Sequence, residues 1–127
     1  MKVKIYPGFA SGEIKIPPSK SLLHRAIISA SLAKGTSTIS NIILSDDIKA
    51  TINAFKQFGV NIKANNNKLE ISNNKPLTHS SLKTIDCNES GSTLRFLIPI
   101  LANNKGIKFT GNPTLMKRPL TIYQSIF

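Results

Sequence analysis

The chain has no tryptophan, one cysteine, six acidic residues and three arginines among its 127 residues. A lone cysteine, Cys87, excludes an internal disulfide framework and a multi-cysteine zinc site. It reads as a small buried residue at a strand end rather than a nucleophile, because neither histidine, His24 or His79, lies near it in sequence. No apolar run reaches membrane-spanning length, and the start, Met1 to Gly8, lacks the apolar core of a signal peptide, so a cytoplasmic location is expected. The P-loop, the dinucleotide glycine fingerprint, zinc-ligand spacing and the nucleophile elbow are all missing.

The shortage of acids leaves a formal charge of +11, and 40% hydrophobic content is enough for one ordinary domain with a core. Such a charge admits phosphorylated metabolites, nucleic acid and anionic membrane as partners. The lysines are spread along the chain and no aromatic-rich recognition motif accompanies them, which ranks a basic nucleic-acid-binding module below a small-anion site. Arginine, the planar fork suited to bidentate grip on phosphate or carboxylate, is used sparingly and in particular places. Arg25 ends Pro17-Pro-Ser-Lys-Ser-Leu-Leu-His-Arg25, Arg95 ends Glu89-Ser-Gly-Ser-Thr-Leu-Arg95, and Arg118 lies in Leu115-Met-Lys-Arg-Pro119.

Val3 to Tyr6 and Glu13 to Ile16 read as short strands around a Pro-Gly turn. Ser19 is a helix N-cap, followed by an apolar stripe of Leu22, Leu23, Ala26, Ile27, Ala30 and Ala33 and a stop at Lys34-Gly35. Thr36 to Ile42 predicts a strand, and Ser45-Asp46-Asp47 caps a second helix carrying Ile48, Ile52, Phe55 and Phe58. Val60 to Ala64 and Lys68 to Ser72 predict a hairpin, and Asn73 to Ser81 a polar loop holding a solvated His79. Lys83 to Cys87 is a strand and Ser90 opens a third helix, apolar nearly all round, in which Pro99 predicts a kink. Gly106 to Thr110 is a strand, and a fourth helix is expected to start near Arg118-Pro119. The succession β-α-β-α-β-β therefore restarts after about seventy residues. The fold class is α/β (α+β), with one repeat over 19–82, a partial second over 83–127, and the expectation that the chain is an amino-terminal fragment.

Three of the predicted helix starts carry anion-binding chemistry. Ser19-Lys20-Ser21 combines hydroxyls, free backbone N–H groups and an ammonium at a helix's positive end, with Arg25 one turn on. Glu89-Ser90-Gly91-Ser92-Thr93 repeats the device, Gly91 allowing a ligand close to the backbone; Glu89 is expected on Lys20 or on a substrate hydroxyl. Arg95 reads either as a ligand or as a structural arginine tying carbonyls or Asp86. Arg118, just before Pro119, is expected at a helix entrance.

At these residues the chain resembles the 5-enolpyruvylshikimate-3-phosphate (EPSP) synthase family. The match runs through Pro18-Ser-Lys-Ser21 with His24-Arg25-Ala26, Ser45-Asp-Asp47, Gly91-Ser92-Thr93-Leu94-Arg95 and Met116-Lys-Arg-Pro119, in the family's order and approximate spacing. The resemblance implies an enolpyruvyl transferase fold of two domains and six repeats, with residues 1–18 belonging to the other, carboxy-terminal-half domain. It implies Lys20 and Arg118 as phosphoenolpyruvate ligands, Ser21 and Arg25 as shikimate 3-phosphate ligands, and Gly91 as a backbone contact. Asp47, Glu89, Ser92 and Arg95 take supporting places, and Glu89 stands where the family commonly has asparagine. No metal or organic cofactor is implied; the proton-transfer groups come largely from the other domain, so no catalytic residue is assigned to this fragment, and turnover is not expected from it. Lys20-Ser21 separates the chain from the related UDP-N-acetylglucosamine enolpyruvyl transferases, which have Lys-Asn there.

Overall fold

The computed structural model describes residues 1–77 and 83–127. The polar loop's His79 lies outside the described residues. Among the described residues, five helices and five strands follow the order α1 (Lys20–Leu32), β1 (Gly35–Ser40), α2 (Asp46–Gln57), β2 (Asn61–Asn65), β3 (Lys68–Asn73), β4 (Lys83–Asp86), α3 (Gly91–Leu101), β5 (Ile107–Thr110), α4 (Pro113–Met116) and α5 (Thr121–Ile126).

Serine starts the three long helices for the same local reason. Ser19, Ser45 and Ser90 hold extended backbone, and each Oγ accepts the N–H three residues on, from Leu22, Ile48 and Thr93. That hydroxyl replaces a partner which the first turn of a helix lacks. Helix α2 adds Asp46 and Asp47 in its first turn and Lys56 in its last, both favourable to the helix dipole. Between β2 and β3, register pairs Asn65 with Lys68 across Asn66 and Asn67, whose φ values are 38° and 63°. Two consecutive left-handed residues make the twisted turn a tight hairpin needs, and asparagine tolerates that conformation.

Strand β3 is central in a three-stranded antiparallel sheet of order β1-β3-β2, and its Leu69 and Ile71 are fully buried. Ile71 stands opposite Ile62 on β2, and Leu69 opposite Ile39 on β1 and Ala64 on β2. With Ile27, Ile48 and Phe55 from the covering helices they form one core, which continues through Ile85, Cys87, Leu94, Leu97 and Leu115. Strands β4 and β5 are parallel, Ile85 opposite Phe109, with α3 as the crossover.

Several expectations are revised. Residues 1–18 form no helix or strand, and Val3, Ile5, Tyr6, Phe9, Ile14 and Ile16 are exposed; a two-stranded hairpin with no third strand or helix against it has little to hold it. The first unit accordingly runs α-β-α-β-β, without the opening strand. Helix α1 is rotated from its predicted stripe: Leu22 and Ala33 are exposed, while His24, Ile28 and Ser31 are buried beside Leu23, Ile27 and Ala30. Helix α3 is buried along Thr93, Leu94, Leu97 and Leu101 rather than all round, and it is continuous through Pro99. Arg95 and Pro99 both lie on its exposed stripe, so the Arg95 carbonyl that Pro99 leaves without a donor is on the solvent side.

The end of the chain differs most. Ahead of the helix expected near Arg118-Pro119, an additional short α4 starts at Pro113, capped by Asn112 Oδ1 accepting from Thr114 N–H at 3.0 Å. The cap-plus-proline pair Asn112-Pro113 is the stronger local start signal. Arg118 therefore follows the end of α4, its N–H donating to Leu115 O, and α5 begins three residues later. Gly111 sets the geometry ahead of this turn: a Cβ there would meet Asn88 O at 2.6 Å and Leu115 Cδ2 at 3.0 Å. Backbone cannot yield as a flexible side chain can, so Gly111→Ala is expected to destabilise by about 1–3 kcal/mol. A urea titration checks it, and an unchanged midpoint would show that the approach is looser than described.

Candidate functional site

The starts of α1, α2 and α3 meet in a continuous series of contacts. Lys20 Nζ, on the first residue of α1, donates to Asp47 Oδ2 in the first turn of α2 at 2.6 Å. The Asp47 carbonyl in turn lies 3.3 Å from Thr93 Oγ1 of α3. Thr93 lies two residues beyond Gly91, and a Cβ added to Gly91 would come within 2.8 Å of Arg118 Nη1. The Arg118 guanidinium thus lies over the bare Cα of the residue that opens α3. Four segments remote in sequence converge here: Lys20, Asp47, Gly91 and Arg118.

The cations at this place are available. Lys20's side chain is 54% exposed despite its ion pair, and Arg25 and Arg118 are exposed. Among the described residues, Arg25, Arg95 and Arg118 have no carboxylate partner. Ser21 is exposed beside Lys20, and Ser92 is part-buried after Gly91. The surroundings match an anion site: helix starts with free N–H groups, an ammonium and the Arg118 guanidinium.

Of the two places expected for Glu89, Lys20 is not the one it takes. Its Oε1 accepts from Asn112 Nδ2 at 2.8 Å, while Asp47 takes Lys20. The reason is reach along the loops: Asn112 N–H also donates to Asn88 O, which holds the two turns side by side. Arg95 makes no tie to Asp86, whose Oδ1 accepts from Asn88 N–H at 2.8 Å. Cys87 is fully buried, and burial with nearby Asp86 pushes its thiol up to about 12, which keeps it protonated and unreactive near neutral pH.

A family model of EPSP synthase (3-phosphoshikimate 1-carboxyvinyltransferase) matches residues 7–126. The chain belongs to the EPSP synthase family. It is 54% identical over 127 residues to 3-phosphoshikimate 1-carboxyvinyltransferase of Clostridium perfringens, covering 99% of this chain and 30% of that protein. The Clostridioides difficile enzyme of the same name is 50% identical, with 98% of this chain and 31% of that protein covered. Among solved structures, EPSP synthase from Acinetobacter baumannii superposes with a TM-score of 0.71 at 27% identity, over 86% of this chain and 26% of that one. The chain spans about a third of the length of these curated relatives. As a member of the EPSP synthase family it has the enolpyruvyl transferase fold, and among the described residues no helix is long and apolar enough to cross a membrane.

Beneath the surface of this member of the family runs a polar network which sequence reasoning missed. His24 is completely buried one turn after Lys20, and its Nδ1 lies 2.8 Å from Thr51 Oγ1. Thr51 Oγ1 is 2.7 Å from Thr93 Oγ1, and Thr93 Oγ1 donates to Ser90 Oγ at 2.7 Å. The available signal was Thr51 in the apolar interior of α2, where a hydroxyl needs a partner. Burial is the main cause that lowers the His24 pKa from 6.5, opposed by Asp47 and assisted by Lys20. Below pH 6.5 the unfolded chain takes up a proton that the folded chain resists, so the stability His24 contributes is present above that pH and is lost as pH falls through the folded value. We expect the urea midpoint to fall between pH 7.5 and 5.5, with part of that slope removed in His24→Asn; an identical slope in the variant would contradict the assignment.

Proposed function

We propose that this chain supplies the amino-terminal half-site of an enzyme that moves the carboxyvinyl group of phosphoenolpyruvate onto the 5-hydroxyl of shikimate 3-phosphate, releasing phosphate. The observation that carries this reading is the Arg118 guanidinium seated over Gly91, beside the Lys20–Asp47 pair. These are the positions at which the family resemblance places phosphoenolpyruvate. The work of this chain is electrostatic. Lys20 and Arg118 oppose the negative charge of phosphoenolpyruvate, and the bare backbone of Gly91 gives its anionic groups a close approach. Ser21 and Arg25, on the same end of α1, hold the phosphate of the second substrate. Asp47 keeps Lys20 aimed at the site, while Ser92 and Arg95 support the glycine turn and Glu89 braces it through Asn112.

In the reaction the 5-hydroxyl oxygen bonds to C2 of phosphoenolpyruvate as C3 gains a proton, and loss of phosphate with loss of a C3 proton restores the double bond. The acid and base for those transfers belong to the remaining chain length, with closure of the two halves excluding water. Neither a metal nor an organic cofactor takes part. The partners are the two small anions and the complementary domain, without nucleic acid or membrane, and the setting is the cytoplasm, in the synthesis of aromatic amino acids.

The test is a chimera in which this chain replaces the matching segment of the Clostridium perfringens protein. It should release phosphate from the two substrates together, whereas the 127-residue chain alone should not. An inactive but folded chimera would overturn the reading, and steady turnover by the chain alone would overturn the division of chemistry.

A further inference from the structure

His24 is fully buried, and its Nε2 has no hydrogen-bond partner, whereas Nδ1 begins a run of hydrogen bonds through three helices. The direction of the run follows from counting protons. Thr93 Oγ1 donates to Ser90 Oγ at 2.7 Å, which uses its only hydrogen. The 2.7 Å contact between Thr93 and Thr51 then requires Thr51 to be the donor. With the Thr51 hydrogen spent, the 2.8 Å contact to His24 requires Nδ1–H. The competing acceptor for both threonines, Asp47 O, is farther away at 3.3 and 3.5 Å, beyond the usual O–H···O range. The opposite order would bury an orphaned Nε2–H and reverse each hydroxyl.

We propose, resting on the function above, that His24 is a positioning residue: as its Nδ1–H tautomer it heads a one-way run through Thr51 and Thr93 that fixes the Ser90–Gly91 turn. Ser90 Oγ, at the end of the run, also accepts Thr93 N–H at 3.1 Å as the cap of α3. Both hydrogen bonds onto that oxygen bear on the residue preceding Gly91, and so on the seat of Arg118. The run crosses from α1, which carries Lys20, Ser21 and Arg25, through α2, which carries Asp47, to α3. It therefore sets the spacing between the parts that meet each substrate. The depressed pKa of the ring agrees with a neutral imidazole at physiological pH.

Two measurements test this. In long-range 1H–15N spectra of the labelled chain, His24 should show a protonated Nδ1 and a bare Nε2; a protonated Nε2 would overturn the proposal whatever the enzyme does. In the active chimera, His24→Asn places an amide N–H as many bonds from Cβ as Nδ1–H is, while His24→Leu cannot donate. His24→Leu should raise KM for phosphoenolpyruvate roughly tenfold with a smaller change in kcat, and His24→Asn should recover most of it. Equal loss in both variants at matched melting temperatures would reduce His24 to core packing. If His24→Leu fails to fold, Thr93→Val removes the central hydroxyl at nearly constant shape and should raise the same KM; an unchanged KM counts against the run. A chimera without activity refutes the proposed function, while the spectra still decide the tautomer.

Discussion

Arg118→Ala and Lys20→Ala, each made in the active chimera, should lower kcat/KM for phosphoenolpyruvate by about 10²–10³-fold, the usual consequence of removing one preorganised donor from developing charge. Their effects on stability should be small. Arg118 is exposed and has no carboxylate partner, and the Lys20–Asp47 pair, with side chains 54% and 27% exposed, contributes at most about 1 kcal/mol. That contrast separates a binding role from a structural one. Arg118→Lys keeps the charge but loses the planar fork seated over Gly91, so it should recover only part of the activity. Steady-state kinetics together with urea titrations check both halves; unaltered kcat/KM in either alanine variant would remove that residue from the site.

The largest stability effect should come from Phe55→Ala. Phe55 is 1% exposed where α2 meets the core, and its loss leaves a cavity that a sheet built around Leu69 and Ile71 cannot fill by small shifts. A cost of about 3–5 kcal/mol is expected, a large share of the roughly 5–15 kcal/mol that holds an ordinary domain folded. The substitution should cause lost near-ultraviolet dichroism and a much lower urea midpoint. A shift worth under about 1 kcal/mol would mean that α2 is not packed as described.

What was legible in the sequence is what adjacent residues decide among themselves. Ser19, Ser45 and Ser90 cap helices through N–H groups three positions away, and Asn66-Asn67 turns a hairpin within four residues. These signals hold whatever lies around them. The candidate residues Lys20, Gly91 and Arg118 are marked by family motifs, whereas their juxtaposition needed the fold. The phase of α1 was misread because His24 is buried by Thr51, 27 residues on, and Thr51 by Thr93, 42 further. No periodicity of apolar residues marks a polar side chain as core. Glu89 is expected on Lys20 or on a substrate hydroxyl, and turn-to-turn pairing instead gives it Asn112 as its partner within the chain. The strands expected within residues 1–18 had suitable composition and no partner, and a strand exists only through its pairing.

The central claim is that the start of α1 recognises a sugar-like phosphate rather than any polyanion. Titration of the 15N-labelled chain with shikimate 3-phosphate, read at the amides of Lys20, Ser21 and Arg25, tests it most directly. The phosphate ester should shift these signals saturably and unphosphorylated shikimate far less, because each lost charge-assisted hydrogen bond costs about 1.5–3 kcal/mol. Equal response to the two compounds, or a stronger and steeply salt-dependent response to DNA at the same amides, would contradict it.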